Sequence, residues 1–231
     1  MTQTQTGTNP FIGLRPFELD HYHLFFGREE QIDDLIRRLE QTRFLAVVGP
    51  SGSGKSSLIG AGLIHELNHG RIAEAGLNWK VAFFNPGRDP IHNMAEALKQ
   101  VGVLEKDGEE DLRQNGLVEM GRQSRLTSDE NLLLVVDQFE ELFRYRSDGG
   151  FSYEDAFAFV KLLLEVPRQR EVPVYVVLTM RADFLGSCTL FQGLPEAINE
   201  GQYLIPSMTR EQIRRAIEQP VAVAHAEITP R

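Results

Sequence analysis

The sequence predicts an α/β fold built on a mainly parallel sheet. Three observations carry this expectation. Short apolar runs alternate with amphipathic helical segments along the chain, as expected of strands sandwiched between helices. The run at 132–136, Leu-Leu-Leu-Val-Val, is apolar without alternation, as a strand covered on both faces must be. A Gly/Ser-rich turn at 49–56 separates an apolar run from a helical stretch, the joint of a strand–turn–helix unit.

The elements follow in order. Residues 1–9 are polar and rich in Thr and Gln, an expected disordered lead-in. Residues 29–42 carry Ile32, Leu35, Ile36 and Leu39 at helical spacing. The first strand is expected at 44–48 and a helix at 57–67. A second strand, 79–84, is stopped by Asn85-Pro86-Gly87. Asp89-Pro90 opens a helix through Val101, with proline near its first turn. The charged stretch 105–129 reads as helical. After the third strand at 132–136, Asp148-Gly149-Gly150 marks a turn. A periodic helix follows at 153–165, then a fourth strand at 174–179. A short fifth strand, 202–205, ends at Pro206. Thr209-Arg210-Glu211-Gln212 reads as a capping box opening the last helix.

The chain of 231 residues holds one large domain or a domain plus an appendage. The expected division is a lead-in at 1–9, a main domain at 10–208, and a partial helical appendage at 209–231 that breaks off just after the apolar stretch 221–226. A net charge of −9, from 24 basic and 33 acidic residues, argues against generic attraction to nucleic acid. The single cysteine, Cys188, cannot build a disulfide framework. Nothing at the N-terminus resembles a signal peptide, and no apolar run approaches the roughly 20 residues that span a bilayer. The expectation is a cytoplasmic protein with no membrane partner.

Gly49-Pro50-Ser51-Gly52-Ser53-Gly54-Lys55-Ser56 fits the phosphate-binding pattern G-x-x-x-x-G-K-[ST] at every fixed position. With glycine at roughly 7% of residues, that pattern arises by chance in about one chain of this length in a hundred. The flanking strand and helix make coincidence rarer still. Three glycines let the backbone turn until successive N–H groups converge on one anion. The helix from Ser57 adds the positive end of its dipole. Lys55 brings a mobile charge to the terminal phosphates, and Ser56 supplies a hydroxyl for Mg²⁺. The plain alternative is a Gly/Ser turn beside a surface lysine.

A phosphate cradle specifies a nucleotide, not a reaction. Asp137 directly follows the all-apolar third strand, where an unpaired carboxylate would be costly. Mg²⁺ beside Ser56 is a natural partner, in the arrangement called Walker B. The alternative is an N-cap for a helix opening at 138–145, and both roles can coexist. Glu140 and Glu141 follow on an expected first helical turn, where either could orient or deprotonate water; Glu140 is preferred. Gln138 stands where many ring ATPases place a catalytic glutamate. The alternative is a solvated acidic turn favoured by the helix dipole. Arg181 lies just past the fourth strand, able to sense a third phosphate and stabilise its charge; the alternative is a surface pair with Asp183. Gly27 and Arg28 precede the first helix as a candidate wall for the base. Pro220 breaks the last helix after Gln219, where proline is disfavoured. Both of these last features can also be simple punctuation. The six histidines show no metal-ligand spacing, and Cys188 has no partner base.

Together these residues resemble the STAND class of P-loop NTPases, signal-transduction ATPases with numerous domains, and in particular bacterial novel STAND modules. The likeness runs from Asn9 to about Val223. It rests on Asn9-Pro10-Phe11-Ile12-Gly13-Leu14-Arg15-Pro16-Phe17 followed by Phe25-Phe26-Gly27-Arg28-Glu29, then GPSGSGKSSL, VVDQFEELF, LTMRADFL, Ile205-Pro206-Ser207-Met208-Thr209 and IEQPV, in the family's order. The resemblance implies a three-layer sandwich with a five-stranded sheet of order 5-1-4-3-2. It implies an ATP-dependent switch, closed with ADP and self-associating after exchange for ATP. Gly27 and Arg28 would lie near the base, Arg181 would be the sensor arginine, and Pro220 would contact adenine. Relatives usually continue into a winged-helix region and a repeat sensor, often with an effector upstream, so the signalling reading applies to a parent protein. Competing readings are a nucleotide-binding scaffold without turnover and a small-molecule P-loop kinase. A GTPase would want an Asn-Lys-x-Asp motif, and an ABC-type ATPase an LSGGQ-like signature; neither occurs.

Overall fold

The computed structural model describes residues 9–105, 108–124, 126–127, 129–147 and 153–226. The lead-in, apart from Asn9, and the Asp148-Gly149-Gly150 turn lie outside the described residues. Five parallel strands form one sheet: β1 (Phe44–Gly49), β2 (Asn78–Phe84), β3 (Glu130–Val136), β4 (Val174–Arg181) and β5 (Gln202–Leu204). Their order is β2-β3-β4-β1-β5, the expected 5-1-4-3-2 read from the other edge.

The alternation of side chains across each strand builds two cores. Leu45, Val47, Leu133, Val135 and Val177 face α1 (Glu29–Thr42) and the helical run after the phosphate loop. Ala46, Val48, Leu134, Val176 and Leu178 face the opposite layer. That layer holds α4 (Pro90–Gln100), α5 (Gly108–Asn115), α6 (Leu117–Gln123), α8 (Tyr153–Glu165) and α9 (Leu194–Gly201). The charged stretch 105–129, expected to be helical, is so over α5 and α6, anchored by buried Leu112, Leu117 and Met120, whereas Glu105, Gly116, Ser124, Leu126, Thr127 and Asp129 are not helical.

Two features place the site. β1 and β4 are neighbours in register, Gly49 beside Arg181. The connection from β1 leaves toward the α1 face, and that from β4 reaches α9 on the other face. Connections that diverge from adjacent parallel strands open a crevice at their carboxyl ends, where ligands bind in open α/β sheets.

Several boundaries differ from expectation. β4 runs on through Arg181 rather than stopping at Thr179, because its ladder with β1 continues to Gly49. The stretch after the phosphate loop comprises α2 (Lys55–Ser57), a π-helical segment Leu58–Leu63, and α3 (Ile64–Asn68). No helix opens at Gln138: that residue takes φ +55°, and α7 starts at Glu141 (Glu141–Ser147). Pro220 does not end the last helix. α10 (Arg210–Val223) passes through it, capped by Thr209 with its reciprocal Gln212 bond. Pro220 falls within four residues of the end and is buried, so one lost backbone bond is set against apolar packing.

Candidate functional site

β1 is wholly buried and delivers the chain to the sheet edge, where the loop 50–54 turns into α2. Gly52 and Gly54 adopt φ of +72° and +86°, the left-handed region that L side chains avoid. A Cβ added at either would meet nothing within 4 Å. Their constraint is therefore conformational, and the space over the loop is open. Lys55 Nζ donates to Gly49 O at 3.1 Å and Pro50 O at 2.8 Å. Burial holds the Lys55 amine below the usual lysine range, aided by Arg181 and opposed by Glu140 and Asp137.

Ser56 Oγ lies 2.9 and 3.0 Å from the two Asp137 carboxylate oxygens, donating its proton to that group. Asp137 is only 6% exposed. Its second partner is Thr179, fully buried on β4, whose Oγ1 donates to Asp137 Oδ1 at 2.6 Å and accepts from Gln138 N–H at 3.0 Å. Asn85 Nδ2 donates to the Asp137 carbonyl at 3.1 Å. Sequence reasoning missed Thr179 and Asn85. The available signal for Thr179 was one polar residue inside an otherwise apolar strand.

The two glutamates separate. Glu140, buried, accepts the Arg181 backbone N–H at 3.3 Å and is the strongest anionic influence on Lys55. Glu141 instead accepts Gly87 N–H at 3.0 Å, tying the end of β2 to α7. The Arg181 side chain pairs with Asp183, through Nε to Oδ1 at 3.0 Å and Nη2 to Oδ2 at 2.6 Å.

The remaining candidate residues are Arg28, Gly27, Ser57 and Pro220. Arg28, nearly buried, donates to Pro206 O at 2.9 Å and Ser53 O at 3.5 Å. Desolvation lowers its pKa, against the pull of Tyr203. It therefore ties the start of α1 to the phosphate loop and to the exit of β5. Gly27 (φ +83°) sits so close to α10 that a Cβ would overlap the Gln212 carbonyl. The Ser57 hydroxyl accepts Phe17 N–H at 3.0 Å, holding the N-terminal segment on the loop helix. Pro220 is buried on α10, with no contact to the loop among the bonds of the described residues.

The donor set fits a hard divalent cation. A serine hydroxyl and a carboxylate are oxygen ligands of the kind Mg²⁺ takes, one or two at a time, beside phosphate oxygens and water. Among the described residues no cluster of three or more His, Cys, Asp or Glu side chains could hold a metal unaided. A cation here would thus be held jointly with a phosphate-bearing ligand, by Ser56 and Asp137.

Known proteins share this architecture. The chain resembles the Aeropyrum pernix ORC2 protein, solved with ADPNP and ADP, at TM-score 0.60 and 16% identity over 93% of this chain and 55% of that one. It resembles the Walker-type ATPase paby2304 of Pyrococcus abyssi at TM-score 0.53 and 13% identity, over 94% and 63%. At these identities the likeness is one of fold. Uncharacterized proteins Mb0918 of Mycobacterium bovis and Rv0894 of Mycobacterium tuberculosis match at 41% identity over 54 residues, 22% of this chain and 14% of theirs. The chain therefore spans a small part of those relatives and about half of ORC2. Among the described residues no helix is long and apolar enough to cross a membrane. The model of the family described as Novel STAND NTPase 1 matches residues 10–231, nearly the whole chain, which therefore belongs to that family of nucleotide-binding NTPase modules.

Proposed function

We propose that this chain is a switch module that binds Mg-ATP and Mg-ADP, hydrolyses ATP slowly, and controls self-association of a larger parent protein carrying sensor and effector domains. The observation that supports it best is the Ser56–Asp137–Thr179 cluster beside Lys55 and the phosphate loop. When bound, Mg²⁺ neutralises charge on the terminal phosphate oxygens. Loop residues 49–57 bind the phosphates through backbone N–H groups, and Lys55 exchanges the Gly49 and Pro50 carbonyls for phosphate oxygens. Thr179 orients the Asp137 carboxylate. Glu140, the glutamate whose charge acts on Lys55 and which bonds the Arg181 backbone, accepts the proton of the attacking water. Arg181 reads the third phosphate. Gly27, Arg28 and Pro220 lie toward the base. Cys188, free and buried, suits a reducing compartment such as the cytoplasm.

Calorimetry in magnesium buffer should show binding of ATP and ADP to the wild type. Single-turnover assays should show phosphate release that Lys55→Ala slows about 100-fold or more. Absence of binding heat from folded wild type would refute the reading. Binding without turnover would reduce it to a scaffold.

One observation favours a second reading, phosphoryl transfer to the hydroxyl of a small, largely apolar acceptor. An open groove of about 460 Å³ runs from Ser56 and Asp137 between Phe17 and the β2 side chains Trp79, Val81 and Phe83. Release of free phosphate in stoichiometric yield, with no acceptor added, would exclude it.

A further inference from the structure

Arg181 ends β4 in register with Gly49, so its backbone abuts the entrance to the phosphate loop. Its guanidinium does not bond the loop. Nε and Nη2, one of the two guanidinium edges that form paired bonds to an oxyanion, are taken by the two oxygens of Asp183. Phosphate uses that same edge, with the same fork geometry. A carboxylate two residues along the chain thus competes with any phosphate for Arg181.

The pair lies within electrostatic reach of the loop lysine: Arg181 pushes the Lys55 pKa down and Asp183 pushes it up. The Arg181 side chain is 33% exposed and that of Asp183 57%, so exchanging partners requires side-chain rotation and no repacking. The guanidinium also rests over Phe184, 5.6 Å from its centroid. Phe184 in turn stacks on Phe143 at 5.9 Å and 14°. This aromatic support gives Arg181 a platform on which to turn.

We propose that Asp183 is a specificity-determining residue: it occupies a phosphate-binding edge of Arg181, yields it only to a third phosphate, and so sets the preference between nucleoside triphosphate and diphosphate. The inference rests on the switch reading above. A terminal phosphate outcompetes one carboxylate because it carries more charge and three acceptor oxygens. A diphosphate leaves the pair intact. Asp183 therefore lowers triphosphate affinity selectively, and leaves diphosphate affinity untouched because a diphosphate does not extend to Arg181.

The test is calorimetric titration of ATP and ADP, in magnesium buffer, into wild type, Asp183→Asn, Arg181→Ala and the double variant. Asp183→Asn preserves shape and removes the charge. ATP should bind about two- to fivefold more tightly to it, the range expected for an exposed ion pair, with ADP affinity unchanged. The gain should vanish in the Arg181→Ala background and shrink at high salt. Equal gains for both nucleotides, no gain, weaker ATP binding, or a gain that survives without Arg181 would each overturn the proposal. Wild type that binds neither nucleotide would remove the switch reading itself, a distinct result. Asp183→Ser provides the second variant, with thermal melts to verify folding.

Discussion

Thr179 shows how one hydroxyl sustains the chemistry of a neighbour. It passes a hydrogen bond from Gln138 N–H to the Asp137 carboxylate, and such chains strengthen each member. Thr179→Val keeps the shape and leaves a buried N–H and a buried carboxylate oxygen each one bond short. The expected loss is about 1–3 kcal/mol, read by denaturant titration. Ser56→Ala removes the other partner of the same carboxylate, but from its partly exposed side, where water replaces it. That variant should lose under about 1 kcal/mol in stability while weakening magnesium-dependent nucleotide binding. Cys188 is the contrasting case of an inert group. Its Sγ packs 3.6 Å from Met180 Sδ, and burial pushes its thiol from 9.0 up to about 12. The folded thiol therefore stays protonated where the unfolded one ionises. Its contribution to stability is intact below pH 9 and declines as pH rises from there toward 12. Iodoacetamide at pH 8 should leave Cys188 unmodified in native protein and alkylate it in denaturant, as read by intact mass.

Among elements, α10 is docked on the N-terminal part of the chain by few contacts. It carries an Arg215–Glu29 ion pair of 3.1 Å to α1 and approaches Gly27 at backbone level. Gly27→Ala would impose both a left-handed φ on alanine and an overlap with the Gln212 carbonyl, together about 2–5 kcal/mol. Removing the cap with Thr209→Ala should lose only about 1 kcal/mol. Hydrogen exchange should accordingly find the α10 amides far less protected in Gly27→Ala than in Thr209→Ala; the reverse order would show that the cap, not the docking, holds the helix. The sequence made such elements legible wherever one local rule governed them. Glu29–Thr42 and Tyr153–Glu165 emerged at their expected bounds because their hydrophobic period was strong and unbroken. Pro220 misled because tertiary burial near a helix end outweighs one lost backbone bond. The π-helical segment Leu58–Leu63 has no local signature: its Gly60 lies where a Cβ would come within 2.8 Å of Phe17 O, a contact 43 residues away in the chain. For the same reason the motif placed Ser56, Asp137 and Arg181 near one another, while Thr179, Asn85 and the tie between Ser57 and Phe17 needed the folded chain.

For the whole molecule, the site joins parts that would otherwise meet only at the sheet edge. The phosphate loop follows β1, Asp137 follows β3, Arg181 ends β4, and Arg28 connects α1 to the exit of β5. A ligand bridging these pieces binds the folded state alone, so binding must appear as stability. At 100 times its dissociation constant, Mg-ATP should add about 2.7 kcal/mol. A domain of this size gains about 2–4 °C per kcal/mol, so the melting temperature should rise by about 5–11 °C. The increment should split. Without magnesium, only the part owed to loop N–H groups and Lys55 should remain, and Asp137→Asn should abolish the magnesium-dependent part. If magnesium made no difference to the ATP-induced shift in wild type, the cation would not be held by Ser56 and Asp137. The buried carboxylate would then serve the fold alone, as the acceptor that closes β3 against β4.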